Sequence, residues 1–517
     1  MIRLTVNKIT NYMKPTKRIL VASLLIMAGI LGGCGEQTFD NTTIHVGGRT
    51  IVQTQIDPHK DWDGWYTVRY GIGETLFKLS QELQIKPWIA SGYERIDDKT
   101  WRIHLKPNVT FSNGRKVTPE DVIASLKRSG EQNNRAKVFK ESTMTAEAQS
   151  ILIVTKEPYE LLINDLSDPF ATILDVADTK NFNYEPIATG PFVIDAASFE
   201  PNKYARMVRN ENYWDGKAQA AVIDYRVVSD MNLLYLAMKR GELDIALDLP
   251  QSIAKTMQDD GSMTVLSTVQ PRLYNLYFNM DVMTDKAVRE AVIYGIDKEA
   301  IGVKQLQGSV YPTQGAFPDF TVYNGRNLQV PTYNPTKARA ILAADGYQDT
   351  NGDGIVEKYG KPLKIVLSVY QRLAIQDIAT EMQSQLRQIG IDMTIDTHEK
   401  SNYFKAGKFE MGIYAMVTTA TGSPYPFLND TMSQKGSANF GHYHNEQVDT
   451  WLHQLSQRNP EAVQIRLVHD IQEQALNDAA YNYLGFHTSY VGLSKHITGF
   501  ATSPTDYYQM TKDLKKE

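Results

Sequence analysis

Cysteine is nearly absent: Cys34 is the sole one in 517 residues. One thiol excludes an internal disulfide and any metal site built from several thiolates. An excess of basic residues is absent too, since 54 Lys and Arg stand against 59 Asp and Glu. Nothing in that balance suggests the basic face nucleic-acid binding wants, and no nucleic-acid partner is expected. The apolar run Ile19 to Ile30 falls short of the roughly 20 residues a transmembrane helix needs. Catalytic signatures are missing as well: there is no Gly-x-Ser-x-Gly elbow, no His-Glu-x-x-His helix and no phosphate-cradling glycine loop. The chain therefore reads as a non-enzyme.

What is present begins at the N-terminus. Arg3, Lys8, Lys14, Lys17 and Arg18 form a positive leader without an acid, and the short apolar run and Leu31-Gly32-Gly33-Cys34 follow. A charged segment, a short apolar segment and small residues are the marks of an export signal, here residues 1–33, with Met13 as a second possible start. Its removal takes away five of the 54 basic residues and none of the 59 acidic ones, so the formal charge falls from −5 to −10. About 480 residues remain, more than one hydrophobic core accommodates, and two or three domains are expected.

A polar tether, Gly35 to Thr43, leads into a body where β-branched runs alternate with amphipathic segments, the pattern of a mixed α/β fold. Trp101-Arg-Ile-His-Leu alternates as a strand, and Asn113-Gly114 turns the chain. Thr118-Pro119-Glu120-Asp121 opens a helix, with Thr118 as N-cap and Pro119 in the first position. Residues 151–155 and 223–228 read as strands; residues 285–297 and 375–389 carry apolar side chains at helical spacing. Residues 364–369 and 411–416 read as buried strands of a second sheet.

Several strings, in order and in register, carry a resemblance: Glu74-Thr-Leu-Phe-Lys, Trp101-Arg-Ile-His-Leu-Lys-Pro-Asn-Val-Thr-Phe-Ser-Asn-Gly, Ala188-Thr-Gly-Pro-Phe, Arg209-Asn-Glu-Asn-Tyr-Trp, Gly241-Glu-Leu-Asp, Asn279, Val288-Arg-Glu-Ala-Val-Ile-Tyr-Gly-Ile-Asp-Lys and Tyr333-Asn-Pro-Thr-Lys-Ala. From about Thr43 to the C-terminus the chain resembles family 5 of the bacterial extracellular solute-binding proteins, the peptide- and nickel-binding receptors of ABC importers, and looks most like the nickel receptors. The resemblance implies a two-lobed, periplasmic-binding-protein-like α/β fold (type II, cluster C) with an inserted subdomain and a hinge. It divides the chain into lobe one at 44–278, with an insert at about 84–187, lobe two at 279–488, and a return to lobe one at 489–517. Leu31-Gly-Gly-Cys34 resembles the lipobox, which implies cleavage before Cys34, acylation there and a protein held outside the cell on a membrane. Partners implied are a small molecule or short peptide and the permease subunits, with the receptor itself a monomer. No cofactor is required, although Ni2+ is expected as possible cargo.

The resemblance also assigns site residues. Arg135 falls where the nickel receptors place an arginine against a chelator carboxylate. Asp168 falls where they have a second arginine; facing the cleft it would favour an amine or cation, and the alternative is a turn-capping role before Pro169-Phe170. Tyr425 matches a cleft tyrosine, while Thr421 stands in place of a tryptophan. Trp62, Trp65 and Tyr66 follow Asp57-Pro58-His59 in a loop that contributes to the cleft, with Trp65 and Tyr66 as walls. The metal-contacting histidine position holds Ser437, and His442 and His444 nearby are its possible replacement. On a strand, His-x-His would turn both rings to one face. His487 is expected to pack against the hinge. Asp349-Thr-Asn-Gly-Asp-Gly starts like a calcium loop, but the twelfth position is Gly360 rather than a bidentate Glu, so it reads as a turn. Two other functions compete: a secreted metal-dependent hydrolase using His442, His444 and Glu446, and a sensor that passes ligand to a partner other than a permease.

Overall fold

Two long strands, Met263–Phe278 and Tyr481–Ser494, tie the molecule together as an antiparallel pair. Both are rich in aromatic and β-branched residues, which suit a pleated, buried surface. The computed structural model describes residues 42–49, 51 and 54–517; the leader, Cys34 and the tether up to Asn41 lie outside them. Among the described residues no helix is long and apolar enough to cross a membrane.

The pair is not continuous in register. Met263 to Val269 face Ser494 to Thr488, and the register then shifts before Leu273 meets Phe486. Pro271 sits in this irregular stretch, where a residue without an amide hydrogen is tolerated. Its carbonyl accepts the N–H of Thr418 at 2.8 Å.

Around this pair runs one mixed sheet. On one side Met263–Phe278 is followed by Met411–Val417, Lys364–Tyr370 and Asp392–His398. On the other side Tyr481–Ser494 is followed by Ile245–Ala246, Thr43–Gly48, Val222–Val227, Tyr204–Arg209 and Phe192–Ile194. Strands 364–370 and 411–417 therefore do not form a second sheet, as the sequence suggested. Met411–Val417 hydrogen-bonds directly to the crossing strand, from Phe278 opposite Met411 to Arg272 opposite Val417, so both halves belong to the same sheet.

The apolar side chains gather in separate cores. One collects Leu273 to Phe486 under the far end of the sheet, including Tyr277, Phe404, Met411 and Tyr481. A second unites the N-terminal strands with the C-terminal tail through Ile44, Tyr70, Tyr225, Val491 and Leu514. A third belongs to the stretch between Leu76 and Ile173, built on the four-stranded sheet of Ala90–Arg95, Thr100–Leu105, Ser150–Val154 and Thr143–Ala146.

Local chemistry explains several elements. Thr118 and Asp121 form a reciprocal capping box at helix Pro119–Gln132. The Arg209-to-Trp214 loop acts as scaffold: the Tyr213 hydroxyl and the Trp214 indole N–H donate to buried Glu74 at 2.6 and 2.7 Å. Burial pushes the Glu74 carboxyl up to about 7, against the pull of those donors.

Candidate functional site

The register shift in the crossing strands places Gln270 and Arg272 between two cavities, one of about 680 Å³ and one of about 800 Å³. Trp65, Gln270, Arg272, Arg372 and Asp506 line both, so the two meet along this wall.

Trp65 comes from the short helix Asp63–Arg69, which begins hard against two backbone segments. A Cβ on Gly64 would stand 2.6 Å from the Pro169 carbonyl oxygen and 2.7 Å from that of Pro58, so only glycine fits. The Trp65 indole N–H donates to Asp506 Oδ1 at 2.7 Å, Arg69 pairs with the other carboxylate oxygen, and Gln270 donates to it at 3.4 Å. Asp506 thus ties the first helix, the crossing strand and the C-terminal tail together. Burial raises its carboxyl above the ordinary value, opposed by the Arg69 charge. Tyr66 stacks beside Trp65, with ring centroids 6.2 Å apart, and lines the larger cavity.

Arg135 and Asp168 both line the smaller cavity, and they are paired: Arg135 Nη2 lies 2.7 Å from Asp168 Oδ2. The Arg135 guanidinium also sits 3.9 Å from the ring centre of exposed Trp62. Asp168 is 3% exposed and also caps the short turn Pro169–Ala171 by accepting the Phe170 N–H at 3.2 Å. It therefore both caps this turn and lines the smaller cavity. Burial raises its carboxyl, opposed by Arg135.

Thr421 and Tyr425 lie elsewhere. The Thr421 carbonyl accepts the Asn164 side-chain amide at 2.7 Å, while its neighbour Ala420 lines the smaller cavity. Tyr425 opens helix Tyr425–Met432 and lines a separate cavity of about 400 Å³ with Pro158, Tyr159 and Tyr323. The same loop approaches the turn at Leu83 through Gly422, whose φ is +81° and whose Cβ, if it had one, would stand 2.4 Å from the Leu83 carbonyl oxygen.

His442 and His444 are not on a strand, as their spacing suggested, but in the loop before helix Glu446–Leu455. His442 has a positive φ of 56°, and the loop holds each ring at its own acid. His442 Nδ1 is 2.5 Å from Asp281, and His444 Nδ1 is 3.6 Å from Asp449; both rings are exposed. Neither lines the two cavities, and the hydrolase reading finds no shared centre. Ser437 does line the smaller cavity, beside Asp430, whose carboxyl burial raises and the Ser437 hydroxyl pulls back. Among the described residues, the three-carboxylate group whose donor atoms lie within 4.8 Å is Asp349, Asp353 and Glu357. Its oxygens serve a turn: Asp349 accepts the Gly352 N–H at 2.7 Å, and Glu357 accepts the Thr350 N–H at 2.7 Å.

His487 packs at the crossing strands as expected, its Nδ1 3.1 Å from the Tyr274 hydroxyl. Burial lowers its pKa to about 4, and the Arg272 and Arg372 charges act in the same direction. Arg272, Arg372 and Asp506 were not picked out from sequence. A signal exists for the first: Gln270-Pro271-Arg272 places a proline and a charge in the middle of a long strand.

The central model of the bacterial extracellular solute-binding proteins, family 5, matches residues 84–439. The nickel-binding protein NikA of Staphylococcus aureus is 25% identical over 493 residues, covering 94% of this chain and 97% of that protein. Its structure in complex with Ni(L-His)2 superimposes with a TM-score of 0.75 at 24% identity, covering 92% of this chain and 100% of that one. A nickel ABC transporter structure from Bacillus halodurans gives a TM-score of 0.80 at 26% identity, with 92% and 100% covered. The oligopeptide-binding protein AppA of Bacillus subtilis is 21% identical over 540 residues, covering 96% of this chain and 98% of that protein.

Proposed function

The chain belongs to family 5 of the bacterial extracellular solute-binding proteins, with their two-lobed fold, and on that premise we propose that it captures a small charged solute between its lobes and delivers it to an ABC permease. The first candidate is nickel carried in a complete chelate. Nickel is put first on the likeness to nickel-binding proteins, and one observation decides for a complete chelate over a bare ion. Among the described residues the smaller cavity is lined by tryptophan, arginine and carboxylate side chains but by no imidazole and no thiol. A metal entering there must bring nitrogen donors with it, because imidazole is the usual protein ligand for nickel. The cavity volume of about 680 Å³ lies within the ordinary range for small-molecule sites.

A short peptide is the second reading. The larger cavity adjoins the first along a shared wall, and Asp430 stands in the cleft for an amino group. Capture works by closure only when the closed state binds the solute better than the open one. The lobes would be 44–278, with the insert at about 84–187 and the return at 489–517, against 279–488, turning about the crossing strands. A monomer anchored by a lipid on Cys34 completes the proposal.

Isothermal calorimetry with Ni2+ plus free L-histidine, set beside di- to pentapeptides, tests it. Heat with the nickel mixture and none with peptides supports the chelate. Heat with peptides alone transfers the proposal to the second reading, and heat with neither overturns both.

A further inference from the structure

A further cavity, of about 390 Å³, shares no lining residue with the three described above. One wall holds Lys298, just beyond helix Lys286–Gly295, and the other is formed by the loop 312–334, which contains neither helix nor strand. A loop of that length is uncommon in a compact body and often carries a function. The Lys298 side chain donates to the Thr313 carbonyl at 3.1 Å, its one hydrogen bond among the described residues. Glu299 and Tyr333 line the same cavity and are exposed, so solvent reaches it.

Three carboxylates line this cavity, yet among the described residues none lies within 4.0 Å of the Lys298 nitrogen. Asp297 accepts the Ala300 N–H at 2.9 Å. Asp319 takes Arg326 and the Tyr311 hydroxyl, each at 3.1 Å. Glu299 is turned to solvent. Lys298 is thus half-buried without a counter-charge, a position that favours the neutral amine. Burial alone lowers its pKa to about 7 from the ordinary 10.5. A neutral amine keeps its lone pair and is a nucleophile, whereas an ammonium is not.

We propose that Lys298 is a covalent site, at which a small aldehyde entering this cavity condenses with the side-chain amine to an imine. The nitrogen lone pair attacks the carbonyl carbon, and a C=N bond replaces the C=O bond. Both hydrogens of the amine leave with the carbonyl oxygen as water, so the step needs neither oxidant nor reductant. The cavity has the volume of a small-molecule site. Its three carboxylates favour an uncharged aldehyde over an anionic one. The site stands apart from the cleft, and the inference does not rest on the capture reading.

Glycolaldehyde on the full chain tests this, with cyanoborohydride reducing the imine to a stable secondary amine and peptide mass spectrometry locating it. Near pH 7 an ordinary lysine is neutral in only about one molecule in several thousand. Lys298 should therefore take up the adduct roughly tenfold faster, or more, than exposed Lys137 and Lys203. Its rate should level off above about pH 8, while theirs still climbs at about pH 9. Glyoxylate, similar in size but anionic, should narrow that advantage severalfold, and a wider advantage would overturn the preference for uncharged aldehydes. Lys298→Arg keeps a donor for the Thr313 carbonyl and should lose the fast adduct, with a melting curve to confirm its fold. Lys298 reacting no faster than Lys203 would overturn the site. So would an adduct at Lys298 that forms only after unfolding in urea, the sign of a sealed cavity. A fast adduct that survives in Lys298→Arg would place the reactive amine elsewhere and overturn it too.

Discussion

Arg135 and Asp168 hold one another in the wall of the smaller cavity, Nη2 to Oδ2 at 2.7 Å. The pairing resolves an apparent contradiction in the sequence, an arginine and an aspartate both placed to receive ligand. Each first satisfies the other. Arg135→Gln leaves a buried carboxylate without its partner, which costs about 3 kcal/mol for a fully buried pair and about 1–2 kcal/mol here, because Arg135 keeps a third of its side chain in water. Urea midpoints should show that loss, and adding Asp168→Asn to the same chain should recover most of it. Equal destabilisation in the single and double variants would mean the pair contributes nothing specific.

Acid should weaken the fold through His59. Its Nε2–H donates to the Thr172 carbonyl at 2.9 Å, and its Nδ1 accepts from Arg128, also at 2.9 Å, so the ring is held neutral. Burial, with Arg128 adding to it, lowers its pKa to about 4 from an ordinary 6.5. The unfolded chain therefore binds the extra proton first, and stability is lost as pH falls from 6.5 through 4. The full effect is about 3 kcal/mol. Denaturation at pH 7 and pH 4.5 should show the decline, and His59→Gln should flatten it in part, since His487 is held neutral in the same way.

Trp65 should report occupancy. Its ring lines both cavities while its N–H is fixed by Asp506. Trp65→Ala should weaken solute binding about tenfold, the loss of one aromatic wall. It should also abolish the main change in tryptophan fluorescence on binding. An unchanged titration would remove Trp65 from the site.

Gly422 lets the loop at residues 419–425 lie close against the Leu83 backbone. A side chain there meets the Leu83 carbonyl, and its left-handed backbone disfavours any residue with a Cβ. Gly422→Ala should cost the closed form about 1–3 kcal/mol. Solution scattering should show a more open average particle with solute present, alongside weaker binding. A particle that closes as fully as before would show that this contact is not made on closure.

If Cys34 carries the lipid, Cys34→Ser should move the mature protein from the membrane pellet to the soluble fraction. An unchanged distribution would end the anchoring proposal.

The strands and capped helices were legible in the sequence because their signals are local. Thr118, Pro119 and Asp121 lie within one helical turn, and the alternation of Trp101 to Leu105 needs no distant partner. The single sheet was not legible, since continuity from Met411 to Phe278 is a pairing between segments more than a hundred residues apart. Trp65, Arg135 and Asp168 were singled out through the resemblance and line one cavity, but the bond between the last two was not foreseen. The Asp506 hub was missed because its partners Arg69, Trp65 and Gln270 come from remote parts of the chain. His442 and His444 misled for a related reason: their spacing implied a strand, and the positive φ that breaks one is not written in the residue type.

The stretch from Val269 to Leu273 breaks the ladder between the two crossing strands, and from it Gln270 and Arg272 reach the space between the bodies. If the lobes turn about these strands and the solute settles beside them, pivot and receptor surface are the same few residues, and occupancy and rotation become one mechanical event.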